Sequence, residues 1–200
     1  MKEELNADIR EILKDMEGRE REIIEKYLFE LSSVYRVARE VNSCTDLDKC
    51  LEILGERISQ ILSVEIVSIV LKEEELDLFK IKYAKGLDEE IVKDTVIKKE
   101  DPPRSIIHWV IKTGKPLLID DLSRDGRFPL RKGRYYNHSL LSVPLKGKEE
   151  VMGVINVNNK TSHEPFNIDD LSLLTKLADL MRRIFGINAR EEEKEDFRHG

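Results

Sequence analysis

The sequence has few of the residues that build metal centres, disulfide frameworks or membrane spans. Its 200 residues include two cysteines, four histidines and one tryptophan, and no apolar run approaches the roughly 20 residues that a membrane-spanning helix needs. The N-terminus has no apolar signal core, so secretion is not expected. Cys44 and Cys50 have neither further cysteines nor histidines around them, which indicates ordinary thiols. These absences predict a cytoplasmic protein that binds no metal.

An excess of positive charge is also missing. The formal net charge is −6, whereas a protein that neutralises nucleic-acid phosphates needs a cationic face. Apolar residues make up 40% of the chain and charged residues 37%, a composition that allows one core together with long solvated helices. The chain is therefore expected to bind neither nucleic acid nor a membrane.

Apolar residues at helical spacing predict a long N-terminal helix. A narrow stripe runs through residues 1–17, and after Gly18 it resumes at Ile24, Leu28, Leu31, Tyr35, Ala38 and Val41. This spacing is near the 3.5-residue period of helices that pair with partner helices. The last helix, predicted over 168–187, has two apolar stripes, although packing on a sheet requires only one. We therefore expect a homodimer formed by the N-terminal and C-terminal helices.

Between these helices the hydrophobic period changes to that of strands. Phe79, Ile81 and Tyr83 alternate with lysines and are predicted to share one buried face. A helix before the strands is expected to be capped by Thr45 or Asp46. Strands are predicted at 64–71, 78–84, 95–97, 117–119, 140–145 and 151–157, and helices at 47–62 and 105–112. The order predicts an α/β (α+β) fold with a mixed or antiparallel sheet and helices packed on one face.

Residues 122–138 have little periodicity and are predicted to form a long loop. A long loop inside a compact domain is either functional or disordered. Asp125 is its only acid, and its basic residues are Arg124, Arg127, Arg131, Lys132 and Arg134. Together with its aromatic residues, this loop suits an anionic or planar ligand such as a nucleotide, carboxylate or phosphate. The alternative is a solvated loop with aromatic side chains packed beneath it.

Several segments resemble the GAF domain family. Residues 105–121 (SIIHWVIKTGKPLLIDD) resemble its central helix, turn and strand ending in Asp, and 125–128 (DGRF) resemble the loop that follows. Residues 142–145 (SVPL) and 153–157 (GVINV) resemble its strand hairpin. The resemblance extends over about residues 28–187, and its closing motif is matched by Asn159, Lys160, Phe166 and Asp170. The sequence has His108 at a position where many relatives have a small residue.

The resemblance implies a GAF/PAS-like antiparallel sheet with a long N-terminal helix. It divides the chain into a coiled-coil-like extension (1–27), a GAF domain (28–187) and a charged tail (188–200). It also implies a pocket between the sheet and the segment 105–138. The candidate ligand-binding residues are Trp109, Asp121, Arg127, Phe128, Arg134, Tyr135, Tyr136, His138 and Asn156.

Several of these residues also have a purely structural explanation. An Asp at a strand end, such as Asp121, commonly caps the next turn, and His108 beside Trp109 suits a packed histidine. Asn156 interrupts an apolar strand. Its amide either faces the pocket floor or forms a hydrogen bond with a neighbouring backbone group. The family's Lys and Asp of the closing motif, here Lys160 and Asp170, are expected to brace each other.

The family includes a free-methionine sulfoxide reductase and bilin-binding members, both of which need cysteines in the pocket region. Cys44 and Cys50 are placed instead near the start of the second helix. No phosphate-binding glycine loop, metal-ligand cluster or nucleophile–base pair is recognisable. The sequence therefore predicts a non-catalytic sensory module of a signal-transduction protein, which binds a small molecule and signals through a helical dimer. The alternative is a dimerisation or protein-interaction module with no ligand.

Overall fold

The computed structural model describes residues 18–73, 76–98, 105–128, 139–148 and 150–181. The chain forms two compact units, Met1–Arg36 and Val37–Gly200. Helix α1 (Gly18–Asn42) supplies the whole described part of the first unit and, with residues 37–42, the start of the second. The helix predicted over residues 1–17 and the predicted tail 188–200 lie outside the described residues. No described helix combines the length and the hydropathy needed to cross a membrane.

Helix α1 carries two apolar faces that differ in exposure. Val37 and Val41 are buried, and Ile24 and Leu28 are partly buried. The exposed face carries large side chains four residues apart: Ile23, Tyr27, Leu31 and Tyr35. The predicted single stripe placed Leu31 and Tyr35 with Ile24 and Leu28, but the structure separates the two sets. We call the four exposed residues the α1 stripe.

Helix α2 (Leu47–Leu62) has the bounds that the sequence predicts. The carboxylate of Asp46 caps it by accepting a hydrogen bond from the backbone N–H of Lys49 at 3.2 Å. At its other end Ser63 adopts a left-handed conformation with φ 51° and turns the chain into the first strand. Arg57 pairs with Glu40 at 2.7 Å, which joins the last turns of α1 to α2.

Six strands form one antiparallel sheet in the order β3-β2-β1-β6-β5-β4. The predicted central antiparallel sheet is therefore confirmed. The four longer strands β2, β1, β6 and β5 form its interior, and two three-residue strands form its edges. The strands are β1 (Val64–Glu73), β2 (Leu78–Lys85), β3 (Val96–Lys98), β4 (Leu117–Ile119), β5 (Leu140–Lys146) and β6 (Val151–Lys160).

The two faces of the sheet are covered by different helices. Helices α2 and α6 (Ile168–Asp179) lie on one face, where Ile69, Val143 and Ile155 are fully buried. Helix α4 (Ile106–Thr113) lies on the other face, and its Val110 packs in an apolar cluster with Val154 of β6. The helix pair on one face follows the predicted architecture, and α4 adds a shorter cover on the opposite face. The short helices α3 (Glu89–Asp94) and α5 (Leu122–Asp125) connect strands.

Strand β2 contains a bulge that changes one predicted facing. Its pairing with β1 skips Lys82. Phe79 and Ile81 face α4 and join the apolar cluster, whereas Tyr83 faces α2, where its ring lies against Gly55. The prediction that Phe79, Ile81 and Tyr83 share a face is therefore wrong for Tyr83, because a bulge shifts the alternation by one residue.

Helix α6 begins with a capping box. The Asn167 side chain accepts hydrogen bonds from the backbone N–H groups of Asp169 and Asp170, and the Asp170 carboxylate accepts one from the N–H of Asn167 at 3.0 Å. The helix was predicted over 168–187, and its residues beyond 181 lie outside the described ones. In the described part the two predicted stripes contain the buried residues Leu173, Leu174, Leu177 and Ala178, and two partly exposed residues, Leu171 and Leu180. The case for a partner helix rests mainly on the α1 stripe, whose apolar side chains are exposed.

Candidate ligand site

Three polar side chains lie side by side on the sheet face that α4 covers. Ser142 of β5, Asn156 of β6 and Ser68 of β1 occupy paired positions on the three central strands. The Ser142 hydroxyl donates to the Asn156 amide oxygen at 2.6 Å, and the Asn156 amide nitrogen donates to Ser68 Oγ at 3.2 Å. We call these three residues the polar floor.

Solvent reaches the centre of the polar floor. Ser142 is 0% exposed and Ser68 is 6% exposed, and Val154, the next residue along this face of β6, is fully buried. Asn156 is nevertheless partly exposed. A side chain on a central strand keeps accessible surface only where the layer above the sheet leaves space. The floor therefore opens upward at the Asn156 amide.

Helix α4 is the apolar roof of this face. It ends at Gly114, whose φ of 60° is a left-handed conformation that glycine adopts without strain. Val110 and Ile111 are buried in the cluster beneath it. Three partly buried side chains pack against that cluster: Ile106, Ile107 and Trp109. The candidate Trp109 thus contacts the core and keeps part of its surface exposed.

Asp121 caps helix α5. Its carboxylate accepts hydrogen bonds from the backbone N–H of Ser123 at 2.9 Å and from the Ser123 hydroxyl at 2.6 Å. Arg124 lies 3.3 Å away through its Nε. The side chain therefore has the capping role that is common for an Asp at a strand end. His108, which the sequence also identifies, is a packed residue of α4 with 3% exposure.

Arg127 forms a bidentate pair with Asp125. Its guanidinium donates from Nε to Oδ1 at 2.7 Å and from Nη2 to Oδ2 at 2.6 Å. This hydrogen bonding holds the pKa of Asp125 below its ordinary value and raises the pKa of Arg127. The guanidinium also lies 5.4 Å from the ring centre of Phe128, which is buried in the apolar cluster. The positive charge at this point of the loop is thus balanced within the protein.

A family comparison agrees with this geometry. The model of the GAF domain matches residues 46–183, which include the whole sheet, the roof helix and the polar floor. The chain belongs to the GAF domain family. The fold class inferred from the resemblance is thereby confirmed, together with the family itself.

Solved GAF structures share this fold. The GAF domain from an Acinetobacter phosphoenolpyruvate-protein phosphotransferase has 24% identity and a TM-score of 0.68, covering 80% of this chain and 94% of that chain. Residues 122 to 287 of a methyl-accepting chemotaxis protein have 22% identity and a TM-score of 0.64, covering 76% and 97%. Free methionine-R-sulfoxide reductase from Neisseria meningitidis, in complex with its substrate, has 16% identity and a TM-score of 0.68, covering 84% and 93%. At these identities the likeness establishes the fold.

The closing motif of this GAF domain is a brace between β6 and α6. Lys160 Nζ lies 2.8 Å from Asp170 Oδ2, and both side chains are mostly buried, with 16% and 15% exposure. The ammonium also lies 5.7 Å from the ring centre of Phe166. The expectation that Lys160 and Asp170 brace each other is confirmed.

Four candidate residues of the GAF pocket lie outside the described residues: Arg134, Tyr135, Tyr136 and His138. The basic residues Arg131 and Lys132 lie outside them as well. Their predicted position over the pocket stays a prediction.

Sequence reasoning identified only Asn156 of the polar floor in this GAF domain. Ser68 interrupts the apolar run VEIVSIVL, and Ser142 interrupts LLSVPL. A hydroxyl in a strand that is buried on both faces needs a hydrogen-bond partner, and this requirement is the signal that could have identified them. The partner itself comes from a third strand, so the set emerges only once the sheet order is known.

Proposed function

We propose that this GAF domain is a regulatory module that binds a small molecule above its polar floor. The observation that carries the proposal is the partial exposure of Asn156 on a central strand, beside the fully buried Val154. Ligand sites are concave and mainly apolar, with a few convergent polar groups. The cluster beneath α4 supplies the apolar part here, and the polar floor supplies the hydrogen-bonding groups.

The response to the ligand passes, in this proposal, through a homodimer. The α1 stripe presents contiguous apolar side chains along one helix face, as helices that pair with partner helices do. A ligand changes the helix arrangement only if its affinity differs between two arrangements. The C-terminal contribution expected for the dimer comes from the last helix, predicted over 168–187, whose residues beyond 181 lie outside the described residues.

Two of the similar structures support a role in signal transduction. One is a GAF domain from a phosphoenolpyruvate-protein phosphotransferase, and the other is part of a methyl-accepting chemotaxis protein. Because GAF domains with this fold occur within such proteins, we propose by analogy that the chain is an input module of a signalling protein. Its net charge of −6 and its two free thiols also favour a cytoplasmic location, with no binding to nucleic acid or membrane.

The proposed role is regulatory rather than catalytic. The reductase among the similar structures acts on a substrate, and the chemistry of that branch of the family requires cysteines in the pocket. Cys44 lies between α1 and α2, and Cys50 lies in the first turn of α2, which covers the sheet face opposite the polar floor. The described residues also contain no group of three or more side chains that could hold a metal ion.

The second candidate function, a dimerisation or interaction module without a ligand, is favoured by Phe128. Its ring is 6% exposed and belongs to the cluster beneath α4. Part of the space between α4 and the sheet is therefore filled by the protein's own side chain. A dimer is expected for both candidate functions. The binding of a small molecule is therefore the property that distinguishes them.

Thermal-shift screening followed by isothermal titration separates the two functions. Nucleotides and small organic acids are tested on the 200-residue chain. We expect one chemical class to raise the Tm and to bind one molecule per chain. Asn156→Ala is expected to abolish the shift, and Asn42→Ala, at the exposed end of α1, is expected to preserve it. If no compound binds at millimolar concentration, the interaction module is the better account.

A further inference from the structure

The polar floor has more hydrogen-bond donors than it uses. Two serine hydroxyls and one primary amide supply four polar hydrogens, and the two hydrogen bonds within the floor use two of them. One hydroxyl hydrogen and one amide hydrogen remain, whichever way the Asn156 amide is turned. Within the described part of the chain, neither Ser68 nor Ser142 makes a further side-chain hydrogen bond.

The serine that keeps its hydrogen is strongly buried. Ser68, at the accepting end of the floor, is 6% exposed, and Ser142 is 0% exposed. Buried hydroxyl donors are normally satisfied by protein or by ordered water, and a ligand can take the place of such a water. Beside them, the partly exposed Asn156 provides the point of access. Of the two surplus donors, the amide hydrogen therefore belongs to the one floor residue that keeps accessible surface, and the hydroxyl hydrogen lies next to it.

We propose that the ligand of this GAF domain presents the oxygen of an uncharged carbonyl group to the polar floor, where it accepts hydrogen bonds from the Asn156 amide and the adjacent serine hydroxyl. This inference rests on the proposed ligand-binding function and adds the chemical class of the ligand. An amide, a lactam or a ketone on an apolar or aromatic frame belongs to this class. The frame lies against the apolar side chains beneath α4.

The chemistry of the floor disfavours two other classes of ligand group. An ammonium or a guanidinium offers only hydrogens, so it can donate to the oxygens of the floor but leaves the two surplus hydrogens without an acceptor. A carboxylate accepts hydrogen bonds, but burying its charge without a cation costs far more than burying a carbonyl. All three floor residues are uncharged, and Arg127, the described basic candidate, is already paired with Asp125. An uncharged acceptor matches both the donors and the absence of positive charge in the floor.

Benzamide, benzoate and benzylamine test the proposal, because they share a ring and differ in the group they present. Binding to the 200-residue chain is followed by the two side-chain amide resonances of Asn156 in ¹⁵N–¹H correlation spectra. These resonances are assigned by their loss in Asn156→Ala. We expect benzamide to shift them saturably and to bind about fivefold to tenfold tighter than benzylamine, as one additional hydrogen bond predicts.

A matched pair of serine variants distinguishes the loss of a floor hydroxyl from the loss of a buried hydroxyl elsewhere in the protein. With the Asn156 amide oriented as in the structure, Ser68→Ala removes the surplus hydroxyl and is expected to weaken benzamide binding about fivefold, the effect of one hydrogen bond. Ser33→Ala removes a hydroxyl from α1 that is equally buried and has no hydrogen-bond partner. This second variant is expected to leave benzamide binding unchanged.

The outcomes distinguish this inference from the proposed function. Benzylamine binding as tightly as benzamide, benzoate binding tighter, or benzamide binding without movement of the Asn156 amide resonances would each overturn the carbonyl assignment and leave ligand binding intact. If neither the three ring compounds nor acetamide, a smaller probe, shifts any resonance at millimolar concentration, the space above the floor is closed and both proposals fail.

Discussion

Among single residues, the two thiols beside the α1–α2 junction differ most in their expected reactivity. Cys44 is partly exposed and Cys50 is 2% exposed. Burial raises the pKa of Cys50 to about 12, and the hydrogen bond with the Cys44 thiol adds to the shift. Because the thiolate is the reactive form, we expect iodoacetamide to modify Cys44 well before Cys50 at mildly alkaline pH. Peptide mass spectrometry measures both rates.

The control for this prediction is the unfolded chain, in which both thiols should react at similar rates. Cys44→Ser is expected to leave the folded protein almost unlabelled on the same timescale. Faster labelling of Cys50 than of Cys44 in the native protein would contradict the burial of Cys50.

Asp125 is expected to make stability depend on pH. Its hydrogen bonds with Arg127 lower its pKa in the folded state. A carboxyl group of this kind contributes stability that is complete above its unfolded-state pKa of about 4 and that is lost as pH falls through the folded-state pKa. Asp125→Asn should therefore lower the free energy of unfolding at neutral pH and have little effect in strong acid. Urea unfolding at both pH values measures the difference.

Asp94→Asn, at an exposed position at the end of α3, is the matched control for Asp125→Asn and should change little at either pH. An equal loss of stability at neutral and acidic pH would show that the introduced amide side chain disturbs packing instead of removing an ionic interaction.

At the level of helices and strands, local sequence patterns predicted most of what the structure contains. Helix α2 was predicted over about residues 47–62 with Thr45 or Asp46 as its cap, and the structure has it at Leu47–Leu62 with Asp46 as the cap. The facing of Tyr83 was not predictable, since the bulge at Lys82 depends on pairing with β1. The polar floor was not predictable either, because it depends on strand pairing. Ser68 is 88 positions from Asn156 and lies beside it only through the sheet order.

Helix α6 offers a test of a single capping residue. Asn167 accepts two backbone hydrogen bonds at the start of the helix, and replacing such a cap by alanine typically costs about 1 kcal/mol. Asn167→Ala should therefore lower the free energy of unfolding by about 1 kcal/mol and speed amide hydrogen exchange in the first turn of α6. Asn167→Asp keeps the acceptor and should restore most of the loss. Unchanged exchange in Asn167→Ala would contradict the assigned cap.

At the level of the whole molecule, the α1 stripe predicts self-association. Leu31 is 69% exposed, so Leu31→Glu should leave the stability of one chain nearly unchanged while placing a charge in the proposed interface. Light scattering coupled to size-exclusion chromatography is expected to show a dimer for the original chain and a monomer for Leu31→Glu. Ser32→Glu adds the same charge at the neighbouring exposed polar position and should remain dimeric. A monomeric original chain would refute the dimer proposal.

The family, the antiparallel sheet and the brace were accessible from the sequence, whereas the side-chain pairing in the candidate site was not. The loop charge predicts an anionic or planar ligand, since its basic residues outnumber its acids, and this stays a prediction because Arg131, Lys132 and Arg134 lie outside the described residues. The structure pairs Arg127 with Asp125, which balances the charge of that one arginine. Pairing between side chains two residues apart cannot be deduced from a count of charges.

One carboxylate connects the strand that carries Asn156 to the last described helix. Asp170 Oδ2 accepts from the N–H of Asn167 at the start of α6 and from Lys160 at the end of β6. A movement of β6 at Asn156 would therefore be passed to α6 through this shared oxygen. If the domain binds a ligand as proposed, a chain without this carboxylate would still bind it, but the change at β6 would no longer be passed to α6.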